Sequence, residues 1–267
     1  MLQHDARSQE SPEGERVVPG DPSQNLIYQG HIAVHRYGHR RLPSGLRVLD
    51  LGCGEGYGSD LLAGRARFCV AIDQDPSVVR VAARKYGRPG LHFVVADAAF
   101  LPFRSDAFGA VWAVEVIEHL PEPVAGLNEA HRVLRGGGLC YLSTPNRPVS
   151  SPQGVLNPYH FREFDAGELR ALLSTRFRHA SVLGLYLTNF LSFRRRLLAE
   201  AMLGLQRSGV DRWMPRAVLR ALSRRAFRTR LTGEEWNRKN RAEHWRPGPL
   251  GAVGTEYCLD LLGLCWK

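Results

Sequence analysis

The chain has 267 residues, 44% hydrophobic and 23% charged, enough apolar material for a real core and too much for a disordered or fibrous chain. Lys plus Arg at 36 against Asp plus Glu at 26 leaves a formal charge of +10, a balance that favours anionic partners such as nucleic acid, phosphorylated substrates or acidic membrane surfaces. Cys53, Cys69, Cys140, Cys258 and Cys265 form no C-x-x-C pair and lie mostly in apolar runs, so neither a disulfide framework nor a zinc knuckle is indicated and a cytoplasmic setting is expected.

Residues 1–25 are rich in Ser, Pro, Glu, Gln and Arg without the apolar stretch of a signal peptide, and they read as a mobile N-terminal tail. Leu26 to Leu42 reads as a short helix ended by Pro43-Ser44-Gly45. From Arg47 to Thr144 apolar, β-branched runs alternate with helical stretches in the rhythm of a parallel sheet with crossover helices. Strands are expected at 47–51, 68–72, 92–96, 108–114 and 138–143, with helices at about 57–64, 76–86 and 122–134. Each strand is a continuous apolar run because both faces are covered. Asp165-Ala-Gly-Glu168 matches a capping box and predicts a helix over 166–174, followed by a strand at 179–187.

Residues 26–187 thus form one core, and 188–250 read as a basic helical insertion. Between Asn189 and Arg246 stand 15 basic and five acidic residues, so the whole positive surplus sits there. Arg recurs with Leu, Ala and Phe at helical spacing in this segment. Residues 251–267 supply a last strand from the apolar TEYCLDLLGLCWK. No run reaches the length of about 18 apolar residues that a spanning helix needs.

The strongest local signal is Val48-Leu-Asp-Leu-Gly-Cys-Gly-Glu-Gly-Tyr-Gly58, a strand entering a loop with Gly52, Gly54 and Gly56. Glycines there let the backbone turn sharply and approach a ligand at the carboxyl end of the first strand. The spacing is G-x-G-x-G, and Asp50 stands two residues before the first glycine. A pyrophosphate would be repelled by that carboxylate, whereas a cationic amino group would be attracted. Asp73, followed by Gln74, ends the second strand, where a carboxylate can accept both hydroxyls of a ribose. Asp97, followed by Ala98, ends the third, placed to accept a hydrogen bond from an adenine amino group.

This constellation resembles the class I S-adenosylmethionine-dependent methyltransferases over about residues 45–145, and more weakly to about 175. The resemblance implies a Rossmann-like, doubly wound α/β fold with a mostly parallel seven-stranded sheet, interrupted before its last strand by the basic insertion. It implies S-adenosyl-L-methionine as cofactor, with Asp50 to Gly56 around its methionine part, Asp73 and Gln74 at the ribose, and Asp97 with Ala98 at the adenine.

Transfer of an activated methyl needs an aligned nucleophile and, for a hydroxyl acceptor, a base. Ala113-Val-Glu115-Val-Ile-Glu118-His119 closes the fourth strand and looks like the E-x-x-E-H run of methyltransferases that include the quinone-pathway O-methyltransferases. If a turn starts after Val114, then Glu115, Glu118 and His119 converge as either a base or a hard-metal site. The alternative is that Glu115 and His119 only line the cofactor pocket, and no metal ligands are assigned. In Asn157-Pro-Tyr-His-Phe-Arg-Glu-Phe164, which resembles a substrate-side loop of bacterial small-molecule methyltransferases, His160 is the second candidate base. His31, His35 and His39 fall on one helical stripe, and in preference to a zinc site the helix is read as a lid over the cofactor with Tyr28 and His31 facing inward.

The expected function is methyl transfer to an oxygen of a small-molecule or glycan acceptor, with the insertion as a cap over the acceptor. One rival is a lipid or quinone-precursor O-methyltransferase in peripheral membrane contact through basic helices at 190–245. Another is an RNA-modifying or nucleic-acid-binding protein, disfavoured because aromatic residues are not interleaved with the arginines and no amino-methylation motif follows the fourth strand.

Overall fold

The apolar runs pair in the order β3-β2-β1-β4-β5-β8-β6-β7. In the computed structural model, residues 17–19, 25–151, 157–187, 245–249 and 260–267 are described. The strands are β1 (Arg47–Leu51), β2 (Phe68–Asp73), β3 (Leu91–Val95), β4 (Phe108–Val114), β5 (Leu134–Pro145), β6 (His179–Leu187), β7 (Trp245–Pro249) and β8 (Asp260–Trp266). The first five run parallel, while β8 is antiparallel to both β5 and β6. The expected tail falls largely, and the expected helical insertion mostly, on residues outside those described.

The seven expected strands are all present, and β7 adds an eighth, antiparallel to β6 at the edge of the sheet. The sequence pattern places residues 245–249 at the end of the helical insertion, whereas the structure makes them extended. Pro247 and Pro249 cannot donate to a ladder, which hides the strand in the sequence, yet an edge strand tolerates them. β5 also starts at Leu134 instead of residue 138, directly after a helix, and its Gly136 to Gly138 stretch forms a register shift against β4 in place of a break.

The helices are α1 (Asn25–His39), α2 (Tyr57–Ala63), α3 (Pro76–Tyr86), α4 (Pro123–Val133), α5 (Arg147–Ser150) and α6 (Ala166–Ser174), with a 3₁₀ turn at Ile117–His119. Their starts follow from side-chain chemistry. Asp75 caps α3 by accepting from the Ser77 N–H ahead of Pro76, and Asp165 and Glu168 form the reciprocal capping box of α6.

Successive residues of each strand face opposite sides, so β1 sends Leu49 and Leu51 to one core and Val48 to the other. The first core packs against Leu127, Ala130 and Val133 of α4 and Leu169 and Leu173 of α6; the second packs against Ala33 and Val34 of α1 and Leu62 of α2. Each fully buried large apolar side chain stabilises by roughly 1.5–3 kcal/mol.

A stacked aromatic pair and a hydrogen bond add to the packing of helix α1 on the sheet. Trp112 and Tyr141 stack with centroids 4.2 Å apart, and the Tyr141 hydroxyl donates to the Val34 carbonyl at 2.8 Å. A Cβ on Gly38 would lie 2.3 Å from the Trp112 ring, so glycine is what allows this approach. The strand order reverses between β1 and β4, and a crevice opens outside the carboxyl ends of the strands at such a switch point.

Candidate active site

A cleft of about 1060 Å³ lies at that switch point, lined among others by Asp50, Gly52, Gly54, Asp73, Gln74, Asp97 and Ala98. Its floor is the loop from β1 to α2. Gly52, Gly54 and Gly56 have φ of +61°, +49° and +85°, the left-handed region that glycine enters without steric cost. At Gly52 a Cβ would also meet Val116 Cγ2 at 2.6 Å. The loop is held against β2 by two bonds, Cys53 N–H to the Ile72 carbonyl (2.8 Å) and Gly54 N–H to Asp73 Oδ2 (3.1 Å).

Asp73 also accepts from the Asp75 N–H through Oδ1 at 3.0 Å. Its two oxygens are thereby oriented, and a carboxylate with about four lone-pair positions retains capacity for a diol. Asp97 is fixed by the Ala99 N–H at 2.8 Å. Gly56, expected with the other two glycines, is not among the residues lining the cleft. It caps α2, and a Cβ there would crowd Ala82, Tyr86 and Phe93 at 3.0–3.2 Å.

Asp50 is buried at 3% exposure and accepts from the Ser59 hydroxyl at 2.6 Å. Burial raises its carboxyl to about 7, with the Ser59 hydrogen bond opposing the rise and the charge of Asp73 adding to it. A cationic ligand group beside it would restore the ionised form.

Above the loop stands α1. His31 Nδ1 meets the Tyr57 hydroxyl at 2.9 Å, and Tyr28 meets the Tyr57 ring edge-on at 5.2 Å. Burial lowers His31 to about 4 and, with the charge of His31 adding, His35 to about 3, so both are neutral near pH 7. His31 and His35 line the cleft. The His31, His35 and His39 stripe does not form a metal-ligand group; among the described residues the grouping that can is Glu118, His119 and His160.

These residues meet because of backbone chemistry. Glu115 has φ of +54°, an uncommon conformation for a non-glycine residue, and it turns the chain out of β4. Its carboxylate accepts from the Ser143 hydroxyl at 2.5 Å. The 3₁₀ turn then presents Glu118 and His119, and the Glu118 carbonyl accepts from Phe161 N–H (2.9 Å) and Arg162 N–H (3.3 Å). That junction brings the ring centroid of His160 to 4.9 Å from His119 at an interplanar angle of 80°. His119 Nδ1 lies 3.0 Å from the Tyr159 carbonyl, and His160 Nδ1 lies 2.8 Å from Glu163 Oε1. Glu163 is 1% exposed and accepts the Ser150 hydroxyl. Burial acts to raise its carboxyl, but hydrogen bonds from serine hydroxyls and His160 outweigh burial and hold it below the usual range.

Glu115, His119 and His160 therefore share the cleft with the acidic strand ends. Asp260 was missed: it opens β8 opposite Pro145 and lines the same cleft, its carboxyl raised by burial. A single acid before an apolar strand carries no signal of this kind. No helix among the described residues is long and apolar enough to cross a membrane.

Residues 49–142 match the methyltransferase domain family. The chain is 40% identical over 165 residues to a probable S-adenosylmethionine-dependent methyltransferase of Mycolicibacterium smegmatis, covering 61% of this chain and 63% of that one. It is 39% identical over 164 residues to a similarly named protein of Mycobacterium tuberculosis, covering 60% and 58%. The chain thus spans about three fifths of the length of these relatives. A ubiquinone biosynthesis O-methyltransferase of Xylella fastidiosa is 34% identical over 43% of this chain and 48% of its own. Among solved structures, an S-adenosylmethionine-dependent methyltransferase of Thermotoga maritima superposes with a TM-score of 0.58 at 15% identity, covering 91% and 92%. The [4+2]-cyclase SpnF superposes at 0.55 and 20%, covering 96% and 88%. At these identities the likeness establishes the fold, and the cyclase shows that the fold hosts more than one chemistry.

Proposed function

We infer, from a chain whose residues 49–142 form a methyltransferase domain, that the cleft binds S-adenosyl-L-methionine and that the activity is methyl transfer to a hydroxyl of a small-molecule or glycan acceptor. The observation that carries this reading is one cleft lined at one end by Asp50, the glycine loop, Asp73 and Asp97, and at the other by Glu115, His119 and His160.

The residues fit the cofactor. Asp50 is the anionic partner for its ammonium, Asp73 with Gln74 accepts the ribose hydroxyls, and Asp97 with Ala98 meets the adenine amino edge. The cofactor supplies a methyl group activated by its sulfonium. The chain's own task is to align the acceptor oxygen, exclude water and remove a proton. His119 and His160 take that proton, assisted by Glu115, while α1 closes the cleft from above through His31 and His35. We assign the basic segment at 188–244 to a cap over the acceptor, with 25–187, β7 and 260–267 as the core.

Phe100, Tyr159 and Phe161 line the same cleft at 78%, 53% and 65% exposure. This apolar rim favours, as a second reading, a lipid or quinone-precursor acceptor met at a membrane surface. Incubation of the full chain with methyl-labelled cofactor and fractionated cell extract is expected to label an acceptor at oxygen, identified by mass spectrometry. Label in the aqueous phase supports the first reading and label in the lipid phase the second. Absence of label in both phases would overturn methyl transfer.

A further inference from the structure

We propose that a second cavity, at the end of the sheet opposite the cleft, binds a small aromatic anion, a flat ring carrying a phosphate or a comparable strongly ionised oxyanion group. The cavity encloses about 380 Å³, within the range of small-molecule sites. Its wall takes Leu46 from just before β1, Gly109 from the start of β4 and Leu139 from early in β5. It therefore opens at the amino ends of the parallel strands, whereas the cleft lies at their carboxyl ends. No residue lines both, so this site is independent of what the cleft binds.

The backbone explains why a cavity forms there. Phe108 pairs with Leu134, but Ala110 pairs with Leu139. β5 thus carries extra residues against β4, and a bulge of this kind turns residues out of the ladder. Here it brings Arg135 and Gly137 to the cavity wall. On the other side of β5, Trp266 of β8 stands opposite Leu139, and Leu264 opposite Tyr141. Alternation along the strands puts Leu139, Leu264 and Trp266 on the face that carries α1. Trp266 keeps 39% exposure, and an indole left open on a cavity wall gains by packing a second flat ring against it.

The charge of the wall is one-sided. It includes Arg41 and Arg135 and no acidic side chain. Arg41 follows the end of α1, where its guanidinium lies 3.6 Å from the centroid of the Tyr37 ring and donates to the Tyr37 carbonyl at 3.2 Å. Both contacts orient the guanidinium and neither neutralises it. Arg135 has no ion pair among the described residues. Backbone bonds from Gly45 N–H to the Arg65 carbonyl and from Arg67 N–H to the Leu46 carbonyl bring two further arginines to this edge. Asp106, an acid at the same edge, is already paired with Lys267 at 2.8 Å. Guanidinium groups match the oxygens of a phosphate or carboxylate, and the indole with Leu46, Leu139 and Leu264 matches an apolar ring. The same charges exclude a cation as the occupant.

The test titrates the full chain by calorimetry with 1-naphthyl phosphate, with inorganic phosphate as the ring-free comparison. One equivalent of 1-naphthyl phosphate is expected to bind, with inorganic phosphate at least about tenfold weaker because it makes no ring contact. Arg41→Ala and Arg135→Ala are each expected to weaken the aromatic probe about five- to tenfold. Trp266→Leu should weaken the aromatic probe about fivefold and leave inorganic phosphate unchanged. Thermal unfolding reports that the variants remain folded. Saturating S-adenosyl-L-methionine should leave the probe's affinity within about a factor of two, as expected of a site outside the cleft. Absence of methyl transfer would count against the proposed function and leave this expectation standing. Absence of probe binding at millimolar concentration, affinity unchanged when both arginines are replaced, or displacement of the probe by the cofactor would overturn the site.

Discussion

Asp73→Ala is expected to weaken S-adenosyl-L-methionine binding at least tenfold. The carboxylate is assigned the ribose diol, and each hydrogen bond to a charged group is worth about 1.5–3 kcal/mol, roughly one to two powers of ten in affinity. The same side chain accepts from Gly54 N–H and Asp75 N–H, so its removal also loosens the glycine loop from β2. Both effects act in one direction. Calorimetry of the variant beside the intact chain measures the loss, and thermal unfolding separates it from general destabilisation. An unchanged dissociation constant would count against the assignment of this end of the cleft to the cofactor.

The second large effect is expected on rate. His119→Ala and His160→Ala should each lower turnover by about 10²- to 10⁴-fold on the acceptor identified by label transfer, the range a positioned acid-base group contributes. Cofactor affinity should stay within a factor of about two, because neither ring belongs to the glycine loop or the acidic strand ends. The double variant should lose little more than either single one, since residues that act as a unit are far from additive. Steady-state kinetics with a cofactor titration on each variant checks all three statements. If neither variant slows transfer, the acceptor gives up its proton without these groups.

The part of the site legible in the sequence is the part that local chemistry dictates. The β1 and β4 boundaries were read residue for residue, because continuous apolar runs bounded by glycine or charge have few other solutions. Asp50, Asp73 and Asp97 follow from the same logic, each at the end of a strand whose neighbours are parallel. The capping box of α6 was equally plain. What stayed hidden depends on contacts distant in the chain. His119 meets the Tyr159 backbone 40 residues away, and the Glu118 carbonyl that joins the two segments leaves no mark in the pattern of side chains. Gly56 was grouped with Gly52 and Gly54 by spacing alone, whereas its neighbours Ala82, Tyr86 and Phe93 come from α3 and β3. β7 was concealed by prolines that only an edge position permits.

The most direct test of the central claim is a calorimetric titration of the intact chain with S-adenosyl-L-methionine at pH 7.5 and pH 5.5. Burial places the Asp50 carboxyl at about 7 in the free protein, and the cofactor's ammonium, with an α-amino value near 7.7–8.0, is largely protonated over this range. Pairing with that ammonium lowers the carboxyl in the complex, so binding below pH 7 must expel a proton and affinity falls as the pH falls, by up to about tenfold per unit. One bound cofactor per chain at pH 7.5, with affinity at least about tenfold weaker at pH 5.5 and a proton released on binding at the lower pH, is the expected result. Absence of binding at pH 7.5 would contradict the assignment of the cleft to this cofactor.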